Sequence, residues 1–365
     1  MNGFTDAFAY AVRSAVRPTE VFVGPLDVDG VTPPVGTGFT IVAAPLADPG
    51  HPAAGRIRAF AERATGNGRF AAAPGFGTVG DEPLKSLDYV ADLWRAFAAS
   101  GLDRRGRVVV IGGGALLDAA GFAAAAWHRG VPVWNVPTTL LAQVDAALGG
   151  KTGLDLDDVK NQIGFVRQPE RIFADPDLLA TLPRSERVSG FGEIAKTALL
   201  AGAPMFERIL ADAPALLEGE VGATARAVAA CLRYKARIVE ADPDESAGSR
   251  FVLNAGHTIG HVYEAAAAAR GSPMPHGLCV AAGLRAEARA EPGSDTESVR
   301  RILTALGIAA SPPAVDRETA VRLLRADKKR SAAGRIRVPQ IRGPGEVVCV
   351  DVDVDVLADE ASRGA

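Results

Sequence analysis

Val108, Val109, Val110 and Ile111 form a β-branched run that passes without a break into Gly112, Gly113 and Gly114, and an alanine-rich stretch with helical patterning starts at Ala115. A strand that is apolar on both faces has to be covered on both sides, which is the situation of a parallel sheet layered with helices. Other strand-like runs fall at residues 21–23, 39–44, 131–136 and 171–174, and they alternate with helix-patterned stretches such as 87–100 and 115–128. Residues 1–183 are therefore expected to form an α/β domain with a parallel, Rossmann-like sheet.

From Arg184 the character changes. The sequence becomes rich in Ala, Leu, Glu and Arg, with helical periodicity at 223–240, 277–289 and 319–327 and Gly/Pro-rich breaks at 241–248, 271–275 and 311–313. Residues 184–365 are expected to form an all-α domain, closed by a strand or extended segment at 346–356 where Val alternates with Asp and Glu. Forty basic residues against 43 acidic ones leave a net charge of −3, which argues against nucleic acid or an anionic membrane as a partner. Cys231, Cys279 and Cys349 are too few and too scattered for a disulfide framework and suit a reducing compartment. The first residues lack the apolar core of a signal peptide, and no apolar run reaches the ~18 residues of a membrane span. A cytoplasmic protein is expected.

Two segments of the first half carry chemistry. Glycines after a strand let the backbone approach a ligand, and the helix that follows offers free N–H groups to a phosphate. The dinucleotide fingerprint is not met, because Leu117 stands at its third glycine position. The next strand ends in Thr138 and Thr139 at the same carboxyl edge, where ligands of open α/β sheets bind; together these features favour a nucleotide site. A polar run then brings Asp145, Gly149-Gly150-Lys151-Thr152 and Lys160-Asn161 close together in sequence. Lysines suit a phosphate, and Asp and Asn suit hydroxyls, so the run fits a phosphorylated, hydroxylated substrate as well as it fits a solvated loop.

The second half carries three of the five histidines, His257, His261 and His276. His257 and His261 are spaced i, i+4 and so share a helix face. Glu193 and Lys196 sit at i, i+3 further upstream. One carboxylate with two imidazoles is a common set for catalytic zinc. The HExxH protease pattern is absent, since Thr258 takes the place of its glutamate. Spacing alone does not separate ligands from a satisfied histidine pair.

Taken together, these segments resemble the dehydroquinate synthases within the wider sugar phosphate cyclases. The resemblance runs over about residues 80–337. It is carried by Gly112 to Phe122, Arg129-Gly130, Val136 to Asp145, Gly149 to Thr152, Lys160-Asn161, Thr181 to Pro183, Glu193 to Lys196, Asn254 to His261, His276-Gly277 and Asp327 to Lys329. It implies an NAD-binding α/β domain, a helical metal-holding domain, an active site in the cleft between them and a homodimer. Carried over motif by motif, the implied metal ligands are Glu193, His257 and His276, for zinc or cobalt. The implied NAD contacts are Glu82, Lys85, Gly113, Gly114, Asp118, Thr138, Thr139, Lys160, Leu178 and Thr181. The substrate phosphate would meet Lys151, Asn161, His261, Lys328 and, from the neighbouring subunit, Arg129. Ring hydroxyls and carboxylate would meet Asp145, Lys196, Lys235, Arg250 and Asn254.

The implied reaction is cyclisation of 3-deoxy-arabino-heptulosonate 7-phosphate to 3-dehydroquinate with loss of phosphate, NAD being recycled within each turnover. Cyclases of sedoheptulose 7-phosphate tend to carry proline at the second histidine of the helix motif, whereas this chain keeps His261 together with Arg250, which favours a carboxylated substrate. The amino analogue would use the same contacts. Leu278 stands where the resembled family usually has glutamate, and the early loop reads Val42-Ala43-Ala44-Pro45 where an Asp or Asn normally faces the nucleotide. These departures point to a diverged paralogue of specialised metabolism. A metal-dependent polyol dehydrogenase is the more distant alternative; it has no need of Lys151, Lys160 and Lys328.

Overall fold

The computed structural model describes residues 8–12, 18–26, 39–44, 50–65, 82–157, 159–309, 311–326 and 334–363. The chain divides into two compact units, one of Met1–Pro183 with Lys235–Asp244 and the other of Arg184–Tyr234 with Glu245–Ala365.

The first unit carries strands β1 (Phe8–Val12), β2 (Thr19–Val23), β3 (Phe39–Ala43), β4 (Arg107–Gly112), β5 (Val133–Pro137), β6 (Lys151–Leu156), β7 (Val159–Val166) and β8 (Arg171–Ala174). Its helices are α1 (Pro52–Thr65), α2 (Leu87–Ala99) and α3 (Gly114–Ala126). Among the described residues the main sheet runs β1-β2-β8-β5-β4-β3. Only the β1–β2 pairing is antiparallel; the other five strands are parallel. Val108 to Ile111 in β4 are fully buried, as a strand covered on both faces requires. Ile41, Phe60, Val109, Ile111, Trp134, Phe173 and Leu178 pack in one core cluster.

Glu170, just ahead of β8, ties three strands together: it accepts from Arg107 Nε (2.5 Å) and Nη2 (3.0 Å) of β4 and from Trp134 Nε1 (2.7 Å) of β5. The helices begin and dock where their side chains allow. Ser86 caps α2 by accepting from Tyr89 N at 3.3 Å, and Trp94 donates to Ala123 O at 3.0 Å, locking α2 onto α3. β6 and β7 form a separate antiparallel hairpin, pairing Lys151 with Val166 and Thr152 with Phe165.

The second unit is helical, built from α4 (Arg184–Ala201), α5 (Ala203–Glu218), most of α6 (Val221–Ala241), α7 (His257–Ala269), α8 (His276–Ala290), α9 (Thr296–Ala305), α10 (Arg317–Ala326) and α11 (Val354–Arg363). It is not purely α. A hairpin of β9 (Arg335–Gly343) and β10 (Glu346–Asp353) closes it. The Val/Asp alternation at the tail is what allows this, since one face of each strand can turn apolar: Ile336, Val338 and Val352 are buried in the same cluster as Ile259, Tyr263 and Leu357. The three cysteines are free thiols. No helix among the described residues is long and apolar enough to cross a membrane.

Candidate active site

Three helices of the second unit meet almost backbone to backbone. A Cβ added at Gly192 of α4 would lie 1.9 Å from Gly277 O of α8, and one added at Gly277 would lie 1.8 Å from Ser189 O of α4. Gly256, ahead of α7, has φ +76° and would place a Cβ 2.6 Å from Val280 O. Each of these glycines is chain neighbour to a candidate ligand: Glu193, His276 and His257. Close approach of the helices therefore draws those three side chains to one point.

Glu193 is 1% exposed, on a stretch of α4 that is buried continuously from Ser189 to Leu200. Its Oε1 lies 3.7 Å from His257 Nε2 and 3.6 Å from His276 Nε2, while Oε2 is ion-paired with buried Lys196. Both oxygens are buried, and Oε1 has no hydrogen-bond partner. The outer nitrogens of the two imidazoles are engaged elsewhere. His257 Nδ1 is 3.1 Å from Ala255 O, an acceptor only, so Nδ1 carries the proton and Nε2 faces Glu193. His276 Nδ1 lies 3.5 Å from Glu264 Oε2. Glu287 of α8 fixes the start of α7, accepting from Gly256 N (2.7 Å) and Ile259 N (3.0 Å).

The group fits a divalent cation. Bonds of ~2.1 Å in a tetrahedral site place neighbouring ligand atoms ~3.4 Å apart, close to the 3.6 and 3.7 Å found here. The electrostatics agree. Burial by itself would raise the Glu193 carboxyl, but the Lys196 ammonium and then His276 pull it down to about 2. Burial would lower His276, but Glu193 and Glu264 drive it up to about 10, and a cation would profit from the same two carboxylates. A second set, His261, Glu264 and His276, also clusters, with His261 exposed. The Glu193 set is the better cradle because its carboxylate is buried and Oε1, within 3.7 Å of both imidazoles, has no hydrogen-bond partner.

The remaining sequence-derived residues distribute as follows. In the second unit, Arg250 is 2% exposed, and Asn254 donates to Phe251 O at 3.1 Å. In the first unit, Lys235 Nζ lies 2.8 Å from Asp145 Oδ1 and donates to Asp145 O at 2.7 Å. Lys85 Nζ is ion-paired with Asp118 Oδ2 at 2.9 Å and also donates to Asn161 Oδ1. A residue assigned to nucleotide and one assigned to phosphate are thus hydrogen-bonded to each other.

Gly113 caps α3 at the carboxyl edge of β4, with Gly114 as the helix's first residue. Thr138 N donates to Gly112 O at 3.0 Å, and Thr139 Oγ1 accepts from Ala142 N at 3.2 Å. Lys151, Lys160 and Arg129 are exposed, Arg129 with φ +67°. Leu178 is fully buried in the core of the sheet, and Thr181 ends the short helical turn Pro176–Thr181. Lys328 and the side chain of Glu82 lie outside the described residues, as does Pro45.

Glu264 and Glu287 do not stand out in the sequence reading. The signal for Glu264 was present, since it falls at i+7 from His257 and i+3 from His261 on the same helix face. It supplies, at His276, a carboxylate that Leu278 does not.

Residues 77–189 match the family described as 3-dehydroquinate synthase N-terminal, and residues 190–330 match 3-dehydroquinate synthase C-terminal. A 3-dehydroquinate synthase of Pyrobaculum neutrophilum is 39% identical over 78% of this chain and 83% of its own length. Among solved structures, 2-deoxy-scyllo-inosose synthase complexed with carbaglucose-6-phosphate, NAD+ and Co2+ aligns with TM-score 0.81 at 23% identity, over 98% of this chain and 100% of that one. A 2-epi-5-epi-valiolone synthase from Streptomyces hygroscopicus with NAD+ and Zn2+ aligns with TM-score 0.76 at 21% identity, over 96% and 97%.

Proposed function

The chain belongs to the 3-dehydroquinate synthase family, and from that membership we propose that it cyclises 3-deoxy-arabino-heptulosonate 7-phosphate to 3-dehydroquinate and phosphate, with NAD and a divalent metal as cofactors. The observation that carries the reading is the buried Glu193 carboxylate, whose Oε1 faces Nε2 of His257 and of His276 without a hydrogen-bond partner while Oε2 is ion-paired with Lys196. Glu193, His257 and His276 would hold zinc or cobalt. Structural relatives that contain NAD+ with Co2+ or with Zn2+ support the cofactor pair. When bound, the metal supplies Lewis acidity toward a substrate oxygen and NAD supplies a hydride acceptor that is regenerated before product leaves.

The chain's own residues bind and hold protons. Lys196 keeps Glu193 anionic, so that the carboxylate stays competent for a cation. The Ala255 carbonyl retains the Nδ1 proton of His257 and leaves Nε2 as a lone pair. The buried Arg250 suits the substrate carboxylate and Asn254 its oxygens, and His261 is assigned to the phosphate. On the first unit, Asp145 holds the Lys235 ammonium in one position, ready for a hydroxyl. Lys151, Asn161 and Lys328 are assigned to the phosphate. Arg129, exposed on its own chain, is assigned to the phosphate of a partner in a homodimer. Most of the protein's contribution is the fixed placement of these charges.

The test is to incubate the purified protein with NAD, zinc and 3-deoxy-arabino-heptulosonate 7-phosphate, following phosphate release, NADH absorbance and the product by NMR. Phosphate and a carbocycle without net NADH are expected. Net NADH formation, or no carbocycle from either the hydroxy or the amino substrate, would overturn the reading.

A further inference from the structure

A cavity of about 260 Å³ opens in the second unit among α7, α8, α11 and the segment that follows α9. Arg285 and Arg289 of α8 and Arg363 of α11 line it together with Ser311, Ala282 and Tyr263, and among the described residues none of the lining side chains is acidic. It lies away from the candidate metal group. At 100° per residue, Tyr263 is rotated ~200° from His261 around α7, and Arg285 is rotated ~180° from His276 around α8. The cavity thus occupies the far face of the two helices that carry the histidines.

Two independent features mark it as a ligand site. The first is the charge of its walls. Arg289 Nε donates to Glu360 Oε2 at 2.9 Å, and Arg363 Nη1 donates to Glu360 Oε1, so two guanidiniums share one carboxylate that is itself 5% exposed. Arg285 adds a third guanidinium and donates to Ile308 O at 2.6 Å. Burial, and then the like charge of Arg289, hold Arg285 below its ordinary value. The second feature is Tyr263, which is fully buried and whose hydroxyl has no hydrogen-bond partner. Tyr263 is itself part of the cavity lining. A buried unpaired hydroxyl costs ~1–3 kcal/mol unless something else satisfies it.

We propose that this cavity binds a small oxyanion, a carboxylate or phosphate group held by Arg285, Arg289 and Arg363 and accepting the Tyr263 hydroxyl proton. Guanidiniums offer forked donors that match either group. The volume falls below the ~300–1,000 Å³ typical of drug-sized sites, so the ligand is an inorganic anion or a short phosphorylated or carboxylated molecule.

The test is calorimetric titration of the full-length protein, in chloride buffer, with inorganic phosphate and separately with succinate. Saturable binding of at least one is expected; phosphate alone identifies a phosphorylated ligand, and succinate alone a carboxylated one. Arg285→Gln should weaken binding about tenfold or more. Tyr263→Phe keeps the packing and should weaken it several-fold, while raising or preserving the unfolding temperature of the ligand-free protein. Lys151→Ala, which alters the residue assigned to the substrate phosphate, should leave this affinity unchanged. Failure of both anions to bind, wild-type affinity in Tyr263→Phe and Arg285→Gln, or loss of binding only in Lys151→Ala would each overturn the proposal.

Discussion

Gly277→Ala tests whether helix contact at glycine is what gathers the candidate ligands. The new Cβ would sit 1.8 Å from Ser189 O, and no flexible side chain is available to yield there, because the obstacle is the backbone of α4. Reaching even 3.0 Å requires the two helices to part by ~1.2 Å. Overpacking of this kind costs ~1–3 kcal/mol. The gain from replacing glycine in a helix is at most ~1 kcal/mol, and it is smaller here because Gly277 is in the first turn of α8. A unit of this size loses ~2–4 °C per kcal/mol, so a drop of a few degrees is expected by scanning calorimetry.

The larger effect is on the cation. Designed and natural metal sites tolerate ~0.2 Å of error in ligand placement, and a shift several times greater would fall between Glu193 and His276, now 3.6 Å apart. Cobalt affinity, measured by competition with a chromogenic chelator, should fall at least tenfold. Gly55→Ala in α1, which has open space within 4 Å, is the control and should be neutral or slightly stabilising. Unchanged cobalt affinity and unchanged melting in Gly277→Ala would refute the reasoning.

His257→Ala should abolish metal retention and turnover together, as read by metal analysis of the purified variant; full activity after metal stripping would remove His257 from the ligand set. Glu264→Ala should loosen cobalt by ~10–100-fold and shift its visible absorption, because the His276 ring loses the carboxylate at Nδ1; wild-type retention would make Glu264 a bystander. Glu170→Gln should alter the acid limb of stability. Burial would raise the Glu170 carboxyl, but Arg107 and Trp134 hold it below 4.5. The pairing therefore stabilises above pH ~4.5 and fades as pH falls below it. The unfolding free energy from denaturant titration should drop by ~1–3 kcal/mol at pH 7 in the variant and converge with wild type toward pH 3. Parallel curves across that range would refute it.

The parts legible in the sequence share one property: their signal is local. Val108 to Ile111 read as a strand apolar on both faces and Gly112 to Gly114 as the turn into a helix, and together with the strand–helix alternation around them they pointed to a parallel sheet. The hairpin of β6 and β7 was not legible. Lys151, Thr152, Lys160 and Asn161 read as a glycine-broken segment that fitted a phosphorylated substrate or a solvated loop, and not as a hairpin, because strands exposing Leu156, Phe165 and Val166 lack the apolar face that marks them. Its pairing is also what lets Lys85 reach Asn161, 76 residues away.

The candidate site divides along the same line. The i, i+4 spacing of His257 and His261 is a local fact, whereas the meeting of Glu193 with His257 and His276 is a fact about which helix faces touch. α4 between Ser189 and Leu200 is buried all round, so amphipathic periodicity, the usual guide to an inward face, is absent just where the carboxylate sits. The residue that does carry the information is glycine. Gly192, Gly256 and Gly277 each adjoin one candidate ligand, and each allows a backbone approach that any side chain would block. Small residues beside scarce ligating ones, dispersed over more than 80 positions, are a sign that helices will meet there, but only a folded chain tells which glycine faces which.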